Sequence, residues 1–260
     1  MYSMTTDYLV DSGDPFSCLR KISDAGFSHI HWCHEWSTNY FYTEEDLDKI
    51  KSYLNEFSLT ILDIHASNGR DISWESPDDS KRNSAVELVR NRIDMAEKFN
   101  VNVIIMHVSE YNYFLKKSLD ELQSYAKTRD VKIAIENTMN FPVVDKILSD
   151  YNSDFLGLCY DSGHGNIEEN SYVWLDKLKD RLISIHIHDN DGKRDLHQIP
   201  FTGTLEWDRV SNLISKSSYK KCVNFEVSLR NMEIEDEEKF LAQSFRAAEK
   251  LSDMISFASV

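Results

Sequence analysis

Short apolar runs alternate with longer amphipathic stretches along almost the whole chain. Each apolar run is four to six residues long and is bounded by polar turn residues. Runs of this length are typical of buried strands. The eight predicted strands are Tyr2–Thr6, Phe27–Trp32, Leu59–Ile64, Val101–Met106, Val131–Ile135, Phe155–Tyr160, Ile183–Ile187 and Cys222–Phe225.

Between these runs, apolar residues recur at helical spacing, as Val86, Val89 and Ile93 do. Thr43, followed three residues later by Asp46, is close to a capping box and predicts a helix start. The predicted helices are Asp14–Ala25, Thr43–Phe57, Asp79–Phe99, Leu115–Lys127, Val143–Ser149, Tyr172–Leu178, Trp207–Lys216 and Glu235–Ser252.

Strands that alternate with helices in this way predict an α/β fold with a parallel sheet and helices outside it. Eight such units in 260 residues match the size of a (β/α)8 TIM barrel. A doubly wound open sheet is the alternative, because the number of strands does not prove closure. No linker or low-complexity tract interrupts the pattern, so residues 1–260 are predicted to form a single barrel domain.

Composition narrows the class of protein. The formal net charge is −15, which disfavours binding to nucleic acids and to anionic membranes. No apolar run approaches the ~20 residues of a membrane helix, and the first residues do not resemble a signal peptide. The four cysteines lack metal-binding spacing and are interpreted as reduced thiols. We therefore expect a soluble cytoplasmic protein.

Potential metal ligands follow six of the eight predicted strands. In barrels of this type the active site lies at the carboxyl ends of the strands. The residues at these ends are His65, His107, Glu136, Asp161, His186 (with His188) and Glu226. So many carboxylates and imidazoles in one mouth require a cation to offset their repulsion and desolvation. Oxygen and nitrogen donors suit a divalent metal such as Mn, Zn, Co or Mg.

Strand periodicity indicates which side chains share a face. In the run before His188, Ile183, Ile185 and Ile187 alternate with polar residues and are predicted to pack against helices. His186 and His188 lie on the opposite face, which points into the barrel. The same alternation precedes the other candidate ligands, so we expect one convergent site.

Two short motifs add further donors. His164 follows Asp161 in D-S-G-H, where Gly163 is expected to let the loop turn back. Asp195 and His197 are two apart in D-L-H, so that an extended loop can point both the same way. A structural role competes with metal binding in the first motif, since Asp161 can equally be a helix N-cap.

Several other residues can line the pocket. Trp36 follows the second strand on the active face, where it can stack on a sugar ring or only shield the loops. His34 is a further pocket candidate, whereas His31 is interpreted as a barrel or bottom-face residue. Lys193 and Arg194 lie in the loop after His188 and can hold an anionic group of the substrate.

The strand-end motifs resemble the xylose isomerase-like TIM barrel superfamily, which includes sugar phosphate isomerases and epimerases and the endonuclease IV group of abasic-site nucleases. The matching stretches are I-H-A-S at His65, M-H-V-S at His107, I-E-N-T at Glu136, Y-D-S-G-H before and at His164, H-I-H-D-N-D-G-K-R-D-L-H at 186–197, F-T-G-T-L-E-W at 201–207 and F-E-V-S at Glu226. They span nearly the whole chain in the order found in that superfamily.

In the isomerase branch, the resemblance implies one divalent metal, with Glu136 and Glu226 moving a proton through an enediolate. The implied metal ligands are Glu136, Asp161, His186 and Glu226. The candidate substrate contacts are His164, His188, Lys193, Arg194 and Trp36. The chain departs from ketose 3-epimerases near Phe141, where a second carboxylate is expected, and this puts that substrate class in doubt.

In the endonuclease IV branch, the resemblance implies three zinc ions and cleavage of abasic DNA. The additional ligands are His65, His107, His164, Asp195 and His197, and all are present. The acidic chain shows no basic stripe for phosphates, so nucleic acid is disfavoured. The sequence therefore favours a sugar or sugar phosphate isomerase/epimerase with one metal ion. The alternative is a site that holds up to three metal ions. A non-catalytic sugar-binding barrel is the least favoured hypothesis, and a homodimer is compatible with the sequence.

Overall fold

Eight parallel strands surround the centre of the molecule in the computed structural model, which describes residues 1–67, 69–138, 140–234 and 236–257. The strands are β1 (Tyr2–Thr5), β2 (His29–Trp32), β3 (Thr60–His65), β4 (Val103–Met106), β5 (Lys132–Glu136), β6 (Leu156–Asp161), β7 (Leu182–His186) and β8 (Val223–Phe225). All eight predicted strands are present, with bounds that differ by one or two residues.

Helices follow the strands on the outside of the sheet. They are α1 (Phe16–Asp24), α2 (Glu44–Phe57), α3 (Asp79–Lys98), α4 (Tyr113–Lys127), α5 (Phe141–Asp150), α6 (Ser162–Ile167), α7 (Ser171–Leu178), α8 (Trp207–Ser215) and α9 (Glu237–Phe257). The predicted capping box of α2 is confirmed, because Thr43 and Asp46 bond each other's backbone amides. Glu235, the predicted start of the last helix, lies outside the described residues.

The sheet closes into a barrel. Its strand order is β7-β6-β5-β4-β3-β2-β1-β8. The two ends meet just beyond β7, where the Ile187 amide donates to Asn224 O (2.9 Å) and the Glu226 amide donates to Ile187 O (3.1 Å). Closure confirms the predicted (β/α)8 TIM barrel and excludes the open sheet.

Most apolar strand residues face the helices, as the alternation predicted. Ile185 and Ile187 join the large core between sheet and helices. The barrel interior holds a much smaller apolar cluster, built from Val103, Ile105, Ala134 and Cys159. The rest of the barrel interior is therefore occupied largely by polar side chains, which extend to the carboxyl ends of the strands.

A bulge in β7 corrects the predicted face of one residue. The pairing of β6 with β7 shifts between Leu158, opposite Leu182, and Cys159, opposite Ser184, which leaves Ile183 as an extra residue. Ile183 therefore packs on the interior cluster and not on the helices. The prediction for Ile183 was wrong because a bulge adds one residue to a strand without marking the sequence.

Two expectations from the composition concern the cysteines and the possibility of a membrane helix. Cys18, Cys33, Cys159 and Cys222 are all free thiols. Within the described ranges, no helix combines the length and apolar character needed to cross a membrane.

Candidate active site

Two carboxylates and an imidazole meet at the carboxyl ends of β5, β7 and β8. His186 Nδ1 lies 3.0 Å from Glu136 Oε2 and 3.0 Å from Glu226 Oε2. All three side chains are buried. Because both Oε2 atoms lie 3.0 Å from the same nitrogen, they are at most about 6 Å apart.

Asp161, the last residue of β6, joins this group with both of its oxygens engaged. Oδ1 accepts a hydrogen bond from the His164 amide (2.7 Å), which caps helix α6. Oδ2 lies 2.9 Å from His188 Nε2. Asp161 thus acts as the helix N-cap that was the alternative to a ligand role. Each of its oxygens still has a further lone pair that a metal ion could bind.

The buried polar atoms of the cluster are incompletely paired. Both carboxylate oxygens of Glu136 and both ring nitrogens of His186 are inaccessible to solvent, and the contact of 3.0 Å between Glu136 Oε2 and His186 Nδ1 is an ion-pair contact without hydrogen-bond geometry. Each such group costs about 1–3 kcal/mol unless something binds it. A divalent cation held by Glu136, Asp161, His186 and Glu226 would satisfy the Glu136 oxygens and one ring nitrogen of His186, and this donor set suits such an ion.

The charge state of the glutamates also fits a cation. Burial alone would raise the pKa of Glu136, but the neighbouring imidazoles of His107 and His186 hold it well below the usual range. Burial would also raise the pKa of Glu226, but the neighbouring His186 holds it well below the usual range. Both carboxylates are therefore ionised at neutral pH.

A second imidazole pair extends the cluster towards β3 and β4. His65 Nε2 lies 3.1 Å from His107 Nε2, which in turn lies 3.2 Å from Glu136 Oε2. Burial, together with His107, lowers the pKa of His65 to about 3. A neutral ring of this kind keeps a nitrogen lone pair free for a ligand role, so His65, His107 and Glu136 form a second group able to hold a metal ion.

A third group surrounds Asp195. Its Oδ2 lies 3.3 Å from His164 Nε2 and 3.2 Å from His197 Nε2. Burial would lower the pKa of both histidines, but Asp161 and Asp195 raise that of His164 to about 12 and Asp195 raises that of His197 to about 10. The residues predicted as possible additional ligands thus lie beside the main cluster.

A cavity of about 310 Å³ opens above these three groups. Of the cluster residues, His107, Glu136, His164, Asp195, His197 and Glu226 form its floor, and its walls include Asp7, Trp36, Ser228, Arg230 and Asn231. Trp36 stands at the mouth, with its ring centroid 4.7 Å from that of His65. Trp36 therefore lines the cavity, and its contact with a sugar stays a prediction.

The structure places some predicted pocket residues elsewhere. Lys193 and Arg194 are exposed, and Arg194 pairs with Asp191 at 2.8 Å. His188 is fully buried and stacks on His197, with ring centroids 4.0 Å apart. His34 lines a separate cavity between the residues just before α1 and helix α2. None of the four lines the cavity as the described residues define it, so a direct substrate contact has no support at these positions.

Two residues near the site, Asp7 and Asp63, were not recognised in the sequence, and His31 was interpreted there as a barrel or bottom-face residue. Asp7 follows β1 closely, so its position after a strand was the same signal that marked the other ligands. His31 and Asp63 form a buried pair inside the barrel, with Nδ1 and Oδ1 2.7 Å apart. The ring of His31 also packs at a tilt against that of His186, at 4.3 Å between ring centroids, and so supports the cluster from below.

Gly163 has a different role from the predicted turn. It lies inside helix α6, and a Cβ at this position would be 1.9 Å from His188 Cε1. The missing side chain makes room for the imidazole that bonds Asp161. The prediction failed because this close approach joins residues from two different βα units.

Replacing Gly163 with Ala should therefore weaken metal binding by about 10–100-fold, the usual cost of disturbing a partner of a metal ligand. The added methyl group must displace His188 and with it Asp161. Gly13→Ala is the control, because its Cβ would meet nothing within 4 Å, although its positive φ adds some strain. Titration calorimetry with Mn²⁺ measures both, and equal affinities would refute the role assigned to Gly163.

Comparisons with known proteins agree with this architecture. The profile of the family described as xylose isomerase-like TIM barrel matches residues 19–251. The uncharacterized protein y4fM of Sinorhizobium fredii is 31% identical, over 92% of this chain and 89% of its own length. The uncharacterized protein MJ1311 of Methanocaldococcus jannaschii is 24% identical, over 81% of this chain and 78% of its own.

Solved structures share the same fold at low sequence identity. A D-tagatose 3-epimerase-like protein superposes with a TM-score of 0.80 at 18% identity, over 100% of this chain and 99% of its own. A 3-keto-D-glucoside 4-epimerase from E. coli gives 0.76 at 15%, over 96% and 98%. An L-ribulose 3-epimerase gives 0.76 at 15%, over 99% and 97%.

Proposed function

The chain belongs to the xylose isomerase-like TIM barrel family, and from this premise we propose that it is a divalent-metal-dependent sugar isomerase or epimerase. The observation that carries the proposal is the position of Glu136 and Glu226, two ionised carboxylates on either side of His186. Similar folds in proteins named as sugar epimerases support the same reaction class.

The reaction requires a proton to leave carbon and return. When bound, the divalent cation polarises the carbonyl and adjacent hydroxyl of a keto sugar and so acidifies the C–H bond between them. Glu136 or Glu226 accepts this proton as a general base, which leaves an enediolate in the cavity. Delivery of a proton to the opposite face by the other glutamate, after it has taken one from solvent, gives an epimer. Return of the first proton to the neighbouring carbon by the same glutamate gives an isomer.

The two glutamates suit this exchange because they come from different strands. Glu136 ends β5 and Glu226 follows β8. A carbon held between them has one carboxylate on each side, within the spacing of about 6 Å that His186 imposes. His164 lies at the cavity floor beside Glu136, with Nδ1 and Oε1 3.2 Å apart, and is positioned to hydrogen-bond a substrate oxygen.

The cavity is of a size for one small sugar. Its volume is about 310 Å³, near the lower end of small-molecule sites. Arg230 is the basic side chain at its wall, and its Nε donates to Leu9 O at 3.0 Å. If the substrate carries a phosphate, Arg230 takes the role that the sequence had suggested for Lys193 and Arg194.

Incubation with a panel of ketoses and ketose phosphates tests the proposal. The metal-loaded protein is expected to convert at least one of them into an epimer or aldose that chromatography separates. Stripping the metal should abolish conversion. Failure to convert any sugar, with metal bound at the cluster, would contradict the proposed function.

A second candidate function is cleavage of abasic DNA, because the two additional ligand groups are intact around His65 and around Asp195. Three metal ions could occupy the cluster in that case. Nicking of an abasic duplex by the zinc-loaded protein would support it. The net charge of −15 and the small cavity favour the sugar reaction.

A further inference from the structure

Another cavity, of about 440 Å³, lies at the opposite end of the barrel from the candidate active site. It is bounded by the first residues of β4, β5, β6 and β7 and by the segment that enters β8. No residue of this cavity takes part in the metal cluster as the structure describes it.

Positive charge is concentrated around this cavity. Its basic residues are Lys132, Arg181, Lys220 and Lys221, whereas Asp180 is its single acidic residue. The chain as a whole has 44 acidic and 29 basic residues, so such a cluster runs against the composition. Within the described ranges, none of the four cations forms a salt bridge with a carboxylate.

Neutral oxygens are the partners of these cations. Arg181 donates to the carbonyls of Leu148 (2.7 Å), Tyr151 (3.1 Å) and Leu156 (2.8 Å). The first of these carbonyls lies in the last turn of α5, where a cation also stabilises the helix dipole. Arg181 therefore has a structural role, but its charge remains without a counter-ion.

The lysines are held in the same way. Lys132 Nζ donates to Ser153 O (3.0 Å), Lys220 Nζ to Ser215 O (3.2 Å) and Lys221 Nζ to Asn102 Oδ1 (2.8 Å). Each lysine keeps two further N–H donors. Hydrogen bonds to neutral acceptors are weaker than those to an anion, so an anion can compete for these groups.

The floor of the cavity is apolar. The bulge of β7 directs Ile183 into it, next to Val103 and Leu182. Gly157 makes this possible, because a Cβ there would be 2.5 Å from Ile183 Cγ1. A basic rim above an apolar floor fits a small molecule with an anionic group at one end.

We propose that this cavity binds a small phosphate-bearing anion, either inorganic phosphate or the phosphate group of a metabolite. Phosphate offers several acceptor oxygens and a double negative charge, which match cations that approach from several strands. Lys220 and Lys221 would contact the phosphate, together with Lys132. The remainder of a phosphate ester would lie over Ile183 and Val103.

Titration calorimetry on the metal-loaded full chain tests this site, with inorganic phosphate, glucose 6-phosphate and glucose as the probes. The double variant Lys220→Glu/Lys221→Glu should bind the phosphate-bearing probes at least about tenfold more weakly, since it loses two charge-assisted contacts. The matched control Lys51→Glu/Lys81→Glu makes the same change of charge on exposed helix positions and should leave binding within about twofold.

The outcomes separate this site from the metal cluster. Binding retained in Glu226→Gln supports a second site, and tighter binding of glucose 6-phosphate than of phosphate identifies a phosphorylated metabolite as the ligand. Comparable binding of the two assigns the site to the phosphate group alone. The proposal is overturned if no probe binds saturably, if both double variants weaken binding equally, or if Glu226→Gln abolishes it.

Discussion

Replacing Glu226 with Gln is expected to lower the turnover of a ketose substrate by about 10²–10⁴-fold, the usual contribution of a general base. The amide has almost the same shape but neither accepts a proton nor brings a negative charge to His186, 3.0 Å away. The steady-state rate is measured at saturating metal, with circular dichroism to verify the fold.

A matched control separates this effect from a general loss of charge. Glu169→Gln makes the same chemical change at an exposed position before α7 and should leave turnover unchanged. If Glu226→Gln retains the wild-type rate with its metal bound, Glu226 is neither base nor essential ligand. Loss of metal along with activity would instead show that its main role is coordination.

Removal of the metal should have the second largest effect, on both activity and stability. The buried oxygens of Glu136 and one buried ring nitrogen of His186 lose the ion that compensates their burial. An ion present at 1,000 times its dissociation constant adds about 4 kcal/mol to the free energy of unfolding. We therefore expect EDTA to abolish turnover and to lower the melting temperature by several degrees.

Elemental analysis of the purified protein should accompany this experiment. One equivalent of Mn or Co fits a site formed by Glu136, Asp161, His186 and Glu226, whereas about three equivalents of Zn fit the nuclease alternative. EDTA added together with an excess of the metal ion found in the protein serves as the control for nonspecific effects. An unchanged melting temperature and rate after complete chelation would refute metal dependence.

The architecture could be predicted from sequence because its signals are local. Strand runs, helical periodicity and the capping box at Thr43 each depend on neighbouring residues. The site followed from one further rule, that parallel strands bring their carboxyl ends together. This rule predicts that Glu136, Asp161, His186 and Glu226 lie at one end of the barrel, together with His65 and His107.

Features that depend on register between strands could not be predicted. The bulge that turns Ile183 inward is visible only when β7 is paired with β6. The same holds for Gly163, whose missing side chain matters because His188 packs against it. Asp7 could have been found with the strand-end rule, but its strand is short and weakly apolar.

Deuterium exchange tests the central proposal most directly. The metal-loaded protein is incubated in D2O with each sugar of the panel, and NMR locates any label on carbon. Proton transfer by Glu136 or Glu226 predicts deuterium at one carbon next to the carbonyl of a substrate ketose, with exchange lost in at least one of the variants Glu136→Gln and Glu226→Gln. The absence of label from every sugar, with metal bound, would contradict the assignment of this barrel as a sugar isomerase or epimerase.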